Sequence, residues 1–176
     1  MAVVAHATAV PTAASRVLLT QDRALAEAFP GSQVERHSAF LTDAQAKSVA
    51  ELAGSPVGSP VIAYYVATKD GRPSGTAFFD THLVRTLPET LMIVVDPTGA
   101  VVKVEVLSFD EPPEYLPKPK WFELFGSRKL DRELAAGRGL PVVTGATLTS
   151  RAAAAAVRRA LALHAVLVAK DAAGTR

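Results

Sequence analysis

The sequence predicts an α+β fold, in which a twisted antiparallel sheet carries helices packed on one side. Two pairs of strand-like segments support this prediction. A tight-turn signal joins each pair, Asp70-Gly71 in the first and Asp96-Pro97-Thr98-Gly99 in the second. Five consecutive alanines at residues 152–156 predict a long helix near the end of the chain, since alanine is the strongest helix former. Strands that precede the helices, rather than alternate with them, are typical of the α+β class.

The first sixty residues are predicted to precede the main domain. Residues 1–15 are expected to form a flexible segment, and His6 and Pro11 interrupt them, so that they do not resemble an intact signal peptide. Residues 16–60 are predicted to form a helical extension packed on the domain. The extension would contain a short strand at 17–19, a helix over 22–29 and a helix to about residue 53 that opens with a capping box at Thr42-Asp43-Ala44-Gln45.

Residues 61–169 are predicted to form the main domain, because strand-like periodicity begins at residue 61. A final helix is expected to begin at Ser150 or Arg151 and to end near residue 169, with a flexible tail at 170–176. The other predicted elements are strands at residues 62–68, 75–81, 90–95 and 100–107, and short helices near 120–125 and 130–136.

Composition limits the function. The chain has 176 residues, of which 49% are hydrophobic and 20% charged, and this suffices for one globular domain with its own core. The formal net charge is +2 and no basic block alternates with aromatic residues, so nucleic acid is not an expected partner. The sequence contains no cysteine, which excludes disulfides and cysteine-ligated clusters. Redox chemistry would therefore need a bound organic cofactor.

Isolated polar residues give little indication of a site. The four histidines, His6, His37, His82 and His164, are far apart and lack the spacing of metal ligands, so no metal site is predicted and each is expected to be exposed or partly buried. The pair Arg158-Arg159 is expected on a solvated face. No catalytic residue is predicted.

A turn rich in small hydroxyl residues precedes the alanine-rich helix, and we call residues 144–147 the TGAT turn. The first N–H groups of a helix lack partners within it, and the helix dipole adds positive potential there, so this position favours a phosphate. Gly145 permits close approach of the backbone and Thr147 offers a hydroxyl, while Thr149 or Ser150 is expected to cap the helix. The same residues would also serve as an ordinary capped helix start. The candidate binding residues are Thr144, Gly145, Ala146, Thr147, Leu148, Thr149 and Ser150.

The TGAT turn resembles the Ser/Thr-Gly-Ala-Thr motif of the FMN-binding domain family, whose members occur in the sodium-pumping NADH:quinone reductase and in the related ferredoxin-linked complex. The resemblance spans residues 61–168 and implies an FMN-binding-domain-like fold. It implies that Thr147 is joined to FMN through a phosphoester by a separate periplasmic flavin transferase. It also implies an extracytoplasmic location and redox partner proteins that could be membrane-bound.

A proline-rich segment at residues 111–115 resembles a divergent form of the family's Glu-Thr-Pro-Gly segment, which lies against the flavin. Proline fixes φ and removes N–H donors, so a rigid loop is expected. Its candidate cofactor-binding residues are Glu111, Pro112, Pro113, Glu114 and Tyr115. An ordinary connector is the alternative interpretation for the two glutamates, and Trp121 is expected in the core rather than against the flavin.

One departure from the family pattern concerns Pro141. The family usually has Asp three residues before the Ser or Thr of the motif, and Pro141 occupies that position here. The sequence therefore supports flavin binding more strongly than it supports covalent attachment of the flavin. The first functional hypothesis is an FMN-carrying electron-transfer protein. The alternatives are an FMN-dependent reductase of a small molecule and a flavin-free binding protein of the same fold.

Overall fold

The computed structural model describes residues 16–168. The expectations for residues 1–15 and 170–176, and for the last residue of the final helix, lie outside this range. Five strands and four α-helices follow one another along the described chain. They are α1 (Gln21–Ala28), β1 (Gln33–Phe40), α2 (Asp43–Ala53), β2 (Val61–Lys69), β3 (Arg72–Leu83), β4 (Pro88–Val95), β5 (Val101–Phe109), α3 (Pro119–Phe122) and α4 (Thr147–Leu163).

The strands form one antiparallel sheet in the order β1-β2-β3-β4-β5, and the predicted α+β class is confirmed. Both predicted hairpins are present. Asp70 and Gly71 at the first turn have positive φ angles of 52° and 73°, as a type I′ turn requires. At the second turn, the Asp96 carboxylate accepts hydrogen bonds from the N–H groups of Thr98 and Ala100 at 2.7 and 3.0 Å. Local turn chemistry therefore sets the connectivity of the sheet.

Strand β1 was not predicted from the sequence. It lies within residues 16–60 and pairs with β2 from Gln33↔Thr68 to Phe40↔Val61, so this segment contributes an edge strand as well as helices. The short strand expected at 17–19 is reduced to one bridge, Val17↔Ser108.

Helices cover both faces of the sheet. Alternate residues of β4 separate the two sides, since Leu91 and Ile93 pack with α2, α3 and α4, whereas Met92 and Val94 pack with α1. The predicted one-sided arrangement therefore describes α2 to α4, and α1 lies on the opposite face. The capping box of α2 is present: the Thr42 hydroxyl accepts from the Gln45 N–H at 3.2 Å, and the Gln45 side chain accepts from the Thr42 N–H at 3.0 Å.

The predicted helix at residues 130–136 is absent, although its composition favours a helix. A glycine-containing turn folds back on this segment instead: the Gly139 N–H donates to the Glu133 carbonyl at 2.9 Å, and Gly137 adopts a φ of +88°. Leu134 becomes fully buried as a result. Tertiary packing overrides helix propensity here.

The described residues contain no helix that is long and apolar enough to cross a membrane.

Candidate functional site

Three segments that are distant in sequence meet around the start of α4. They are the β3–β4 connection, the 3-10 turn Pro113–Tyr115 and the TGAT turn. They border an open cavity of about 190 Å³, which we call the site cavity. Its lining residues are Val84, Arg85, Tyr115, Gly145, Thr147, Leu148 and Thr149.

Helix α4 begins without a side-chain cap. It starts at Thr147, earlier than the predicted Ser150 or Arg151, and its N-cap residue is Ala146, which has no side chain that could accept a hydrogen bond. The N–H groups of Thr147, Leu148 and Thr149 are therefore the donors without partners inside the helix. Among residues 16–168, no hydrogen bond is formed by the Thr147 hydroxyl. Four hydrogen-bond donors thus lie at or beside the site cavity.

Gly145 adopts a left-handed conformation with φ of +84°. A Cβ atom built on it would meet no atom within 4 Å, so backbone conformation rather than crowding explains glycine at this position. The turn brings the backbone to the cavity without a side chain in front of it. The left-handed conformation predicted for Gly145 is therefore present, and the approach of a phosphate to its backbone stays a prediction.

Thr149 and Ser150 do not cap α4, and the prediction that one of them does so is wrong. The Thr149 hydroxyl donates to the Tyr115 carbonyl at 2.6 Å, and the Ser150 hydroxyl donates to the Ala146 carbonyl at 2.9 Å. The Ser150 hydroxyl bonds back to the carbonyl four residues earlier, as serine inside a helix can do, whereas the Thr149 hydroxyl bonds to a carbonyl of a different segment. These two hydrogen bonds join α4 to the TGAT turn and to the 3-10 turn Pro113–Tyr115, which we call the proline-rich turn.

Glu111 is buried and fixes the β3–β4 connection. Its carboxylate accepts the N–H groups of Thr86 and Leu87 at 2.7 and 2.9 Å. These N–H donors stabilise the charged form and lower the pKa of Glu111. Glu111 does not line the site cavity, so its observed contacts place it behind the loop that supplies Val84 and Arg85.

The remaining predicted residues differ in position. Tyr115 lines the site cavity, whereas Pro112, Pro113 and Glu114 are exposed and do not line it. Thr144 is exposed and Ala146 is buried. Their contact with a cofactor stays a prediction.

Trp121 lies in the core, as expected, and its indole N–H donates to the Pro141 carbonyl at 2.8 Å. The segment that leads into the TGAT turn is therefore anchored to α3. The contact is made by the backbone carbonyl of Pro141, so it does not depend on the aspartate that the family usually has at this position.

Arg85 and Val84 were not predicted from the sequence. They follow β3 and reach the cavity only because the hairpin brings residue 85 beside residues 145–149. Arg85 is exposed and places the only cationic side chain in the lining of the site cavity. No local motif marks it, and only its position between two predicted strands could have suggested it.

A network of ionisable side chains joins α4 to the sheet. Arg159 forms two hydrogen bonds with the Asp80 carboxylate at 2.8 and 2.7 Å. His82 lies between Asp80 and Glu89, with ring-nitrogen distances of 2.9 and 3.0 Å. The expectation that Arg159 is solvated is wrong, because its side chain is only 15% exposed.

The network shifts the pKa of each acidic or imidazole member. Burial alone would lower the pKa of His82, but its hydrogen bonds to Asp80 and Glu89 raise it to about 9. Burial alone would raise the pKa of Asp80, but the hydrogen bonds from His82 and Arg159 lower it to about 2. Burial raises the pKa of Glu89, whose Oε1 has no hydrogen-bond partner among the described residues. His82 is therefore a cation at neutral pH.

His164 is buried on the π-helical turn His164–Val168 that follows α4. The expectation that it is exposed or partly buried is wrong, and burial lowers its pKa.

No group of histidine and acidic side chains within residues 16–168 could hold a metal ion.

Comparisons with known proteins give one family. The sequence model of the FMN-binding domain matches residues 87–162, which include β4, β5, the proline-rich turn, the TGAT turn and most of α4. No curated protein and no solved structure matched the chain.

Proposed function

Because residues 87–162 match the sequence model of the FMN-binding domain, we propose that the protein is a flavin-carrying electron-transfer protein whose FMN phosphate lies at the TGAT turn. The observation that carries this proposal is the uncapped start of α4 beside an unbonded threonine hydroxyl. Flavin would supply the electron chemistry, while the chain binds and orients it.

The residues of the site cavity fit a phosphate group. The free N–H groups at the start of α4 can donate to phosphate oxygens, and the helix dipole contributes about 0.3 to 1 kcal/mol for an anion at this position. Arg85, which also lines the cavity, can add a charge-assisted hydrogen bond. The open space around Gly145 leaves the phosphate room to approach the backbone.

Thr147 is the residue best suited to covalent attachment. Thr147 is half-buried and lines the cavity, and its hydroxyl forms no hydrogen bond within residues 16–168, whereas the Thr149 hydroxyl donates to the Tyr115 carbonyl. Thr147 Oγ1 would lose its proton and form the phosphoester bond. A flavin transferase would supply a flavin dinucleotide, whose phosphoanhydride bond breaks in the same step and releases a nucleoside monophosphate and the threonine proton.

The shape and chemistry of the cavity favour a carrier over a reductase. Its volume of about 190 Å³ is below the roughly 300 to 1,000 Å³ of pockets that enclose a ligand, so much of the cofactor would stay outside it. Its lining contains neither carboxylate nor imidazole groups that could transfer protons to a small substrate. An accessible flavin edge can exchange electrons with another protein. We therefore propose that the protein passes electrons between extracytoplasmic partner proteins.

Co-expression with and without an exported flavin transferase tests the proposal. We expect a yellow protein with FMN covalently bound only when the transferase is present, and little nicotinamide oxidation by the purified protein. Thr147→Val should lose covalent flavin, while Thr144→Val, a matched change at an exposed hydroxyl outside the cavity lining, should only weaken it. Sustained nicotinamide turnover well above that of free FMN, lost in Thr147→Val, would favour the reductase. A protein that stays colourless with the transferase would favour a flavin-free binding protein.

A further inference from the structure

A second concave surface lies along α4, outside the site cavity. It has a volume of about 400 Å³ and runs between the end of α2, the loop at residues 132–138 and α4. We call it the arginine groove. Its floor is formed by small residues, and its rim carries four arginines, Arg132, Arg138, Arg151 and Arg158.

The charge of the arginine groove is poorly compensated. Arg132 and Arg151 are exposed, and their side chains form no hydrogen bond or ion pair within residues 16–168. Arg138 makes one long hydrogen bond, 3.5 Å, to the Arg132 carbonyl. No residue that lines the groove is acidic, although Asp131 and Glu133 flank Arg132 in the sequence. The Asp131 carboxylate lies 3.8 Å from the Arg128 guanidinium.

Arg158 differs from the other three arginines because its guanidinium holds the structure together. It donates to the carbonyls of Ala53 and Leu52 at 2.8 and 2.9 Å and also to the carbonyl of Asp131. These neutral acceptors leave its positive charge in place while fixing the walls of the groove. The groove is therefore preorganised, and the charges on its rim that remain available to a partner are Arg132, Arg138 and Arg151.

The arginine groove begins close to the site cavity. Arg151 follows Thr147 by four residues on the same helix, so the two side chains lie on the same face, just over one turn or about 6 Å apart along the axis. An acidic surface seated in the groove would therefore approach the start of α4.

We propose that the arginine groove docks the acidic surface of a redox partner protein, through carboxylates that pair with its rim. This inference rests on the proposed function, since it names the chemistry of the partner that exchanges electrons with the flavin. Charge complementarity steers association and fixes orientation more than it adds affinity, which suits a transient electron-transfer contact. The groove lining contains no aromatic side chain on which bases could stack, so protein carboxylates fit it better than single-stranded nucleic acid.

Binding of fluorescein-labelled poly-L-glutamate, followed by fluorescence anisotropy at low salt, tests the groove with or without flavin in the protein. The double variant Arg132→Gln/Arg138→Gln should weaken binding about tenfold. The control Lys69→Gln/Arg72→Gln removes the same charge from exposed positions on the first hairpin and should bind as the unmodified chain does. Equal losses in both variants, no binding, or equally tight and groove-dependent binding of a single-stranded DNA would overturn the proposal.

Oxidation of the chemically reduced, flavin-loaded protein by ferricyanide tests whether the groove serves electron transfer. Each ferricyanide trianion takes one electron and becomes ferrocyanide, so two are consumed for each fully reduced flavin. The groove variant should slow this reaction several-fold and speed oxidation by the hexaammineruthenium(III) trication, whereas the control should do neither. Unchanged rates alongside weakened poly-glutamate binding would contradict a redox partner. Flavin content, read from the visible spectrum, separates this outcome from a failure of flavin binding.

Discussion

The Thr149 hydroxyl donates a 2.6 Å hydrogen bond to the Tyr115 carbonyl, and thereby joins the first turn of α4 to the proline-rich turn. The two residues are 34 positions apart, and both line the site cavity. The wall of the cavity and the helix start that we assign to the phosphate are therefore held in a fixed relation by one side chain.

Thr149→Val tests this connection. Valine keeps the shape of threonine but removes the donor, so the Tyr115 carbonyl loses its partner at a cost of about 1 to 2 kcal/mol in the free energy of unfolding. Urea denaturation should show this loss, and flavin content should fall because the turn is no longer fixed. Thr144→Val, at an exposed threonine, should change neither quantity by a comparable amount. Wild-type stability in Thr149→Val would show that the hydrogen bond is not structurally important.

Gly145→Ala tests the left-handed turn. Because φ is +84° and no atom would crowd the new Cβ, the substitution adds backbone strain of roughly 1 kcal/mol without a clash. We expect lower stability and lower flavin content, both measurable by urea denaturation and visible absorbance. Gly58→Ala, at an exposed glycine whose φ is not positive and which also has open space, is the matched control and should leave flavin content unchanged. Equal effects of the two substitutions would argue against a special role for the turn.

Glu111→Gln tests the support of the β3–β4 connection. The amide oxygen can still accept hydrogen bonds, but the charge that attracts the N–H groups of Thr86 and Leu87 is lost. Amide hydrogen exchange at these two residues should become faster, and flavin content should decrease as Arg85 is less well placed. Glu114→Gln, at an exposed neighbouring glutamate, should leave the exchange rates unchanged. Exchange that is as slow in Glu111→Gln as in wild type would contradict the role of the charge.

The Asp80–His82–Glu89 network predicts a loss of stability in alkali. The folded-state pKa of His82, about 9, is above its usual value of 6.5, so the stabilisation is fully present below pH 6.5 and is lost as the pH rises through 9. The loss is about 3 kcal/mol, and urea denaturation across this range measures it. His82→Gln should flatten the dependence, whereas His37→Gln, at a more exposed ring, should retain it. An equally steep decline in His82→Gln would assign it to another group.

Asp80 acts in the opposite direction at low pH. Its folded-state pKa of about 2 is below the usual 3.8, so its contribution is present above pH 3.8 and is lost as the pH falls through 2. The network is therefore expected to stabilise the attachment of α4 to the sheet most strongly between these acid and alkaline limits.

Features with local signals could be predicted from the sequence. Asp70-Gly71 forced a hairpin, and Thr42 with Gln45 opened α2, because the relevant hydrogen bonds form between residues close in the chain. Strand β1 was missed because its sequence, QVERHSAF, is mostly polar and its side chains alternate between exposed and half-buried. Only pairing with β2 identifies it as a strand.

In the candidate site, too, only the residues with a local sequence signal could be predicted. The TGAT turn has a local signature, and Gly145 and Thr147 do line the site cavity. Arg85 lies at the cavity only because the strands pair as they do. Arg159 contacts Asp80, which is 79 positions away in the sequence. Neither contact has a local sequence signal. The helix start was placed too late because Thr149 and Ser150 look like capping residues, yet both bond to carbonyl groups from within the helix.

Mass spectrometric mapping of the protein co-expressed with a flavin transferase tests the central claim most directly. After denaturation and proteolysis, the account predicts one flavin-bearing peptide whose added mass equals FMN less one water, with fragmentation assigning the modification to Thr147. The same peptide from Thr147→Val should be unmodified. Flavin located on another residue, or a flavin-bearing peptide that persists in Thr147→Val, would contradict the account.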